Sequence, residues 1–326
     1  MPLHDYSCTL ALRKLIQRIR PDIVQTHSSK AGILGRAAAW KECVPAVIHT
    51  VHGLPFHDKQ AAAINAVYLA AEHWAAHRCH RIICVSRAMQ DAFLQHRIGR
   101  PAQFKIIHNG FDVAAYERLI AVAPPRAAVR RELGVPPEAK LVGIVARLDR
   151  HKGQEDLLDV LDDLRGAFAD LRLLFVGDGW HGQTLRRRVT RNGWQQQVIF
   201  AGMVPFKRMV SLLGAMDVMA LPSYREGLPR TLVEALLCRC AIVGYDVDGI
   251  GEICVNGQTG RLVPLGDRAA LGQAIQWQLE HGAERRAMVE TGRRLVLRDF
   301  DIHAVVAQTE QVYKDVLTGH AQYPSA

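Results

Sequence analysis

Val218-Met219-Ala220-Leu221-Pro222, followed closely by Arg225-Glu226-Gly227-Leu228-Pro229-Arg230-Thr231-Leu232-Val233-Glu234-Ala235-Leu236, is the stretch on which the reading of this chain turns. A short apolar strand runs into a loop and then a helix. Pro229 falls near the first helical turn, where its missing N–H is no loss. Leu232, Val233 and Leu236 form the apolar face of the helix. Free N–H groups and the positive dipole end make such a helix start a ready anion site. Glu226 precedes that site and Glu234 lies about one turn inside it. A carboxylate beside an anion has a use if it accepts hydrogen bonds from hydroxyls next to a phosphate, as on a sugar or a ribose.

Working outward, strands alternate with helices on both sides of this unit. Strands are read at 23–27, 46–53, 81–86 and 104–107, then at 140–146, 171–176, 198–201, 218–221 and 241–245. Late helices are read at about 267–281, 283–297 and 302–317. Strands separated by helices at this pitch imply parallel sheets covered on both faces. Residues 121–137, rich in Ala, Pro and Arg, break the rhythm and read as a linker. The 326 residues exceed most single cores. The expected architecture is α/β with two Rossmann-like domains: 1–122, then 123–302, with 303–326 a C-terminal helix packing back on the first.

The net charge of +9 asks for an anionic partner. Basic residues are not interleaved with aromatics and no nucleic-acid module is present, so nucleic acid is not expected. No apolar run approaches a membrane span and the N-terminus lacks a signal pattern, which predicts a cytoplasmic protein. Seven cysteines without a CxxC pair fit free thiols. Residues 8–20 form a basic amphipathic helix with Leu12, Leu15, Ile16 and Ile19 on its apolar stripe. It reads either as a domain helix with a solvated face or as a contact for an acidic membrane surface.

Arg147-Leu148-Asp149-Arg150-His151-Lys152-Gly153 directly follows a strand, and ligands of open parallel sheets bind beyond the strands' carboxyl ends. Arg147 can fork onto phosphate oxygens and Lys152 can add a point charge. Gly177-Asp178-Gly179-Trp180-His181-Gly182 has the form of a dinucleotide fingerprint. It lacks the acidic residue about twenty positions on, so a nicotinamide site is not expected. His73, His77 and His80 share a helical face, with Cys84 beyond, yet helical ligands need a third group from another element, and no metal site is expected. In His49-Thr50-Val51-His52-Gly53, His52 lies at the strand end and His49 back in the strand; His27 and Lys30 lie at another strand end.

The pair Glu226 and Glu234, in its setting of Ala220-Leu221-Pro222-Ser223 and Glu226-Gly227-Leu228-Pro229, resembles the signature of the retaining glycosyltransferases of family 4. These have the GT-B fold, two Rossmann-like domains facing across a cleft. The resemblance implies transfer of a sugar, of hexosyl or N-acetylhexosaminyl type, from a UDP-sugar or GDP-sugar with retention of configuration. It makes Glu226 the partner of the sugar hydroxyls and Glu234 of the ribose. Arg147 and Lys152 would grip the diphosphate and stabilise it as it leaves. Gly177 and Gly179 would turn near the nucleotide, Met203 would line the base, and the backbone at Gly227 and Leu228 would meet the phosphates. His52 resembles the family's strand-end histidine at the donor sugar, and His27 and Lys30 would line the acceptor side. No cofactor, metal or protein nucleophile is implied.

The same resemblance points to a lipid-linked or glycan acceptor in bacterial surface polysaccharide or glycolipid synthesis, with the enzyme peripheral on the inner face of the membrane. Two departures stand out. Cys238-Arg239-Cys240-Ala241 replaces the family's glycine and proline. Relatives also begin with a strand and glycine-rich turn ahead of the segment resembling Pro21-Asp22-Ile23-Val24, so an incomplete N-terminal domain is expected. That suggests an alternative: a non-catalytic nucleotide-sugar-binding subunit needing a separately encoded N-terminal piece. A sugar-nucleotide epimerase is a third reading.

Overall fold

The computed structural model describes residues 2–57 and 60–319. The chain forms two compact units, one ending at Gly110 and regained from His303, the other spanning Phe111–Ile302.

The first unit runs α1 (Pro2–Ile19), β1 (Ile23–His27), α2 (Ser29–Lys41), β2 (Ala46–Val51), α3 (Ala62–Ala76), β3 (Arg81–Cys84), α4 (Arg87–Gln95) and β4 (Phe104–Ile106). The strands form a parallel sheet in the order β1-β2-β3-β4. β2 is buried along its whole length, as its apolar run requires, whereas β1, at the edge, is only partly covered. α1 begins at Pro2, ahead of its expected start. Its Leu12 and Ile16 line an apolar groove of about 770 Å³, shared with β1 and with Ala31 and Leu34 of α2. α2 and α3 are joined by a fully buried ion pair, Arg36 to Glu72, at 2.7 Å.

The second unit opens with α5 (Val113–Ala121) and α6 (Arg126–Glu132), the latter within the expected linker. Arg126 and Arg130 both pair with Asp217, whose carboxylate also accepts from the Leu141 N–H, so α6 is pinned to the amino ends of two strands. There follow β5 (Leu141–Val145), α7 (Gln154–Asp159), α8 (Leu161–Ala167), β6 (Arg172–Val176), α9 (Gly182–Arg191), β7 (Val198–Gly202) and α10 (Phe206–Ala215). The unit is completed by β8 (Val218–Leu221), α11 (Arg230–Leu237), β9 (Ala241–Tyr245), β10 (Arg261–Val263), α12 (Arg268–Glu280) and α13 (Gly282–Asp299). The six strands are parallel in the order β10-β9-β8-β5-β6-β7. Strand order therefore reverses between β5 and β8, the switch point at which a doubly wound sheet opens a crevice.

α14 (Ile302–Leu317) carries the chain back to the first unit. Its Val312 and Val316 pack against Ala46, Ile48, Ile83 and Ile107, and Tyr313 donates to the Gln25 side chain. Of the segment expected at 303–326, residues 320–326 lie outside the described residues. All seven cysteines are free: Cys79, Cys84, Cys238, Cys240 and Cys254 are buried, Cys8 is partly covered and Cys43 is exposed.

Candidate active site

Two loops meet over the switch point of the second unit. Beyond β5 the chain passes Arg147 and reaches Lys152; beyond β8 it reaches Glu226. Lys152 Nζ donates to Glu226 Oε1 at 2.6 Å, with both side chains largely covered. The Tyr224 N–H donates to the His151 carbonyl at 2.8 Å and ties the loops together. Gly153 sits at φ 75°, and a Cβ there would lie 1.9 Å from the Pro222 carbonyl oxygen, so only glycine allows the approach. Arg147 is mostly exposed, 3.5 Å from Asp149.

The glycine turn after β6 packs on the same loop. A Cβ at Gly177 would come 2.1 Å from the Ala146 carbonyl oxygen, and one at Gly179 would come 2.3 Å from that of Leu148. Their glycines are thus needed for loop against loop. Trp180, 63% exposed, donates its indole N–H to Asp149 at 3.1 Å, so Asp149 bridges the turn to Arg147.

α11 starts at Arg230 with Pro229 as its N-cap and no side-chain cap; the Leu232 N–H donates to the Pro229 carbonyl at 3.3 Å, and the N–H groups of Arg230 and Thr231 have no side-chain cap. Gly227 and Leu228 lead into it. The Glu226 N–H donates to Asp248 Oδ2 at 2.7 Å, and the Gly249 N–H donates to the Gly227 carbonyl. Burial raises the Asp248 carboxyl, opposed by that hydrogen bond. Glu234 lies further along α11, nearly buried, and its Oε1 accepts from the Tyr116 hydroxyl at 2.9 Å. Burial raises its carboxyl too, against the Tyr116 hydrogen bond and the Arg230 charge. Met203, just past β7, is 81% exposed.

In the first unit His52 follows β2 and its Nε2 lies 2.9 Å from His27 Nδ1 at the end of β1. Burial and the His27 charge hold His52 below its ordinary value, while a hydrogen bond to the Asn109 side chain opposes them. His49 lies inside β2, 2.9 Å from the Thr26 hydroxyl, as expected of a residue set back in the strand. Lys30 pairs with Asp5. Of the histidines considered as a metal cluster, His73 is on α3, His77 caps it, and His80 is buried with Nδ1 accepting from the Val47 N–H. Among the described residues no group of three or more His, Cys, Asp or Glu is arranged to hold a metal ion.

Arg147, Lys152, Gly177, Gly179, Glu226, Gly227 and Leu228 thus cluster at the switch point, while Glu234 meets Tyr116. Three supporting residues, Asp248, Tyr116 and Asp149, were not singled out from sequence. Asp149 lies between two residues that were, which was a usable signal. Tyr116 and Asp248 are remote in sequence from what they hold and gave none.

Two parallel-sheet Rossmann-like units, one with cationic loops and a paired carboxylate over its switch point, define the GT-B class of glycosyltransferase folds. Residues 125–295 match the family model described as Glycosyl transferases group 1, and the chain belongs to that family. Residues 1–115 match the model described as Glycosyltransferase Family 4. An Escherichia coli protein, UDP-Gal:alpha-D-GlcNAc-diphosphoundecaprenol alpha-1,3-galactosyltransferase, is 26% identical, covering 97% of this chain and 81% of its own. A Mycobacterium tuberculosis glycogen synthase is 28% identical over 93% of this chain and 71% of its own. Among solved structures, HepE of Anabaena in complex with UDP superposes with a TM-score of 0.81 at 25% identity, covering 93% of this chain and 82% of its own.

Proposed function

We infer that the chain transfers a sugar from a nucleoside-diphosphate sugar, UDP-linked or GDP-linked, to a lipid-linked or glycan acceptor with retention of configuration. The observation that carries this reading is the Lys152–Glu226 contact at the switch point, beside the uncapped start of α11 and the Arg147 loop. A diphosphate there draws on Lys152, Arg147 and the first-turn N–H groups, which together offset its charge. Glu226, next to Lys152, accepts from hydroxyls of the transferred sugar. Glu234 takes the ribose hydroxyls and Met203 the base. As the glycosidic bond breaks, the growing negative charge on the leaving phosphate is met by Lys152 and Arg147, the step at which such groups lower the barrier most. His52, presented at a strand end, contacts the donor sugar.

The UDP complex of the Anabaena relative and the diphosphoundecaprenol in the name of the E. coli relative support a uridine donor and a lipid diphosphate acceptor. For such an acceptor α1 offers exposed Tyr6, Leu10, Leu15 and Ile19 beside Lys14 and Arg18, a surface suited to an acidic membrane. The test is a thermal-shift titration with UDP, GDP and ADP, followed by transfer assays with the matching sugars. One nucleotide at a hundred times its dissociation constant should add about 2.7 kcal/mol of stability. No shift with any of the three would sink the donor-site reading.

A second reading is favoured by the edge of β1. Among the described residues no strand pairs with its outer side, and the apolar groove lies alongside it. An extended, apolar strand from a separately encoded partner would pair there and complete the acceptor side. Nucleotide binding without transfer by the chain alone, with transfer restored by such a partner, would favour this reading.

A further inference from the structure

Glu234 has one oxygen committed within the protein. Its Oε1 accepts from the hydroxyl of Tyr116, a residue on α5 and remote in sequence. Tyr116 is 3% exposed, and its ring is held edge-on by Phe206 at 4.9 Å and flanked by Phe111 at 6.0 Å. A phenylalanine would fill the same space. The hydroxyl therefore serves the carboxylate and adds nothing to packing. Burial and the neighbouring Glu234 charge push the phenol above its ordinary value, so it remains a donor. A nearly buried carboxylate held by one donor keeps a single rotamer and leaves its other oxygen uncommitted.

We propose that Tyr116 is a positioning residue for the nucleotide donor: its hydroxyl fixes the Glu234 carboxylate so that Oε2 is presented to the ribose hydroxyls. This rests on the reading of Glu234 as the ribose partner. Two consequences separate positioning from mere packing. Loss of the Tyr116 hydroxyl should weaken only ligands that carry ribose hydroxyls. It should also shift the pH at which binding fails. Binding through an ionised Glu234 is lost as pH falls through the carboxyl's already raised pKa, and removing the Tyr116 donor raises it further.

The experiment is calorimetry on wild type, Tyr116→Phe and Glu234→Gln. The ligands are whichever of UDP and GDP stabilises the wild type, and its 2′,3′-dideoxy form. Tyr116→Phe should bind the natural nucleotide roughly tenfold more weakly, as expected for a hydrogen bond to a charged group. It should bind the dideoxy form as the wild type does, and lose the natural nucleotide at a higher pH. Unchanged or tighter binding of the natural nucleotide by Tyr116→Phe, with Glu234→Gln weakened, would overturn the role of Tyr116 alone. Equal losses for both ligands would reduce Tyr116 to a packing residue. Indifference of Glu234→Gln would remove the ribose role of Glu234 and the proposal with it.

Discussion

Lys152 and Glu226 neutralise each other across the switch point, so a ligand engaging either competes with this pairing. This makes the two variants diverge in a readable way. Lys152→Ala should weaken UDP binding and cut turnover by about 10² to 10³. Glu226→Ala should also cut turnover, yet it releases the Lys152 ammonium and should tighten free UDP by roughly fivefold, the worth of about 1 kcal/mol for a partly covered pair. Calorimetry with UDP beside steady-state kinetics checks both. If Glu226→Ala weakened UDP as Lys152→Ala does, Glu226 would belong to the phosphate rather than to the sugar. The arginine, lysine and glutamate are legible in sequence because each lies in the loop that follows a strand. Glu234's partner is not: Tyr116 reaches it only through the packing of α5 on α11, which no local pattern encodes.

At the scale of elements, α2 and α3 meet through Arg36 and Glu72, both almost wholly out of solvent. Arg36 Nε also donates to the Gly32 carbonyl, so the guanidinium fastens its own helix as well. Arg36→Met should cost about 3–5 kcal/mol, because it strands a buried carboxylate. The double variant Arg36→Met with Glu72→Leu should recover most of that loss; urea denaturation of the three proteins measures it. The strands that carry the site were visible as continuous apolar runs, which parallel sheets require. β10 escaped notice because three residues at the edge of a sheet carry no period. α6 was hidden by the prolines on either side of it, although Arg126-Ala127-Ala128-Val129-Arg130-Arg131-Glu132 consists largely of good helix formers. Arg126 and Arg130 matter through Asp217, a contact that forms only once the sheet exists.

For the whole molecule, the two units should answer acid in opposite ways. His49, His52 and His80 of the first unit are all held below their ordinary value, chiefly by burial. Unfolded, they take up protons near pH 6.5; folded, only at lower pH. The unfolded state then binds more protons, so the stability they contribute is full above about pH 6.5 and is lost as pH falls toward their folded values. Glu234 and Asp248 of the second unit are raised, so folding there is eased as pH falls. Between pH 7 and about pH 5.5, with the intrinsic slowing of amide exchange divided out, protection should fall across β2 and hold or rise across β8. Equal loss of protection in both would contradict the assignment.

The thiols allow that difference to be followed by light. Burial pushes Cys79 up to about 11 and Cys84, Cys238 and Cys254 up to about 12, and Cys240 is raised as well, so all five are protonated and shielded at neutral pH. Cys43, at φ 53° just beyond α2, is the one exposed cysteine of the seven. A maleimide dye added briefly near neutral pH would settle there first, with the partly covered Cys8 of the same unit as the slower site, and its emission would report on the first unit alone. The protein thus carries a native attachment point for a fluorophore, with no cysteine to be engineered in.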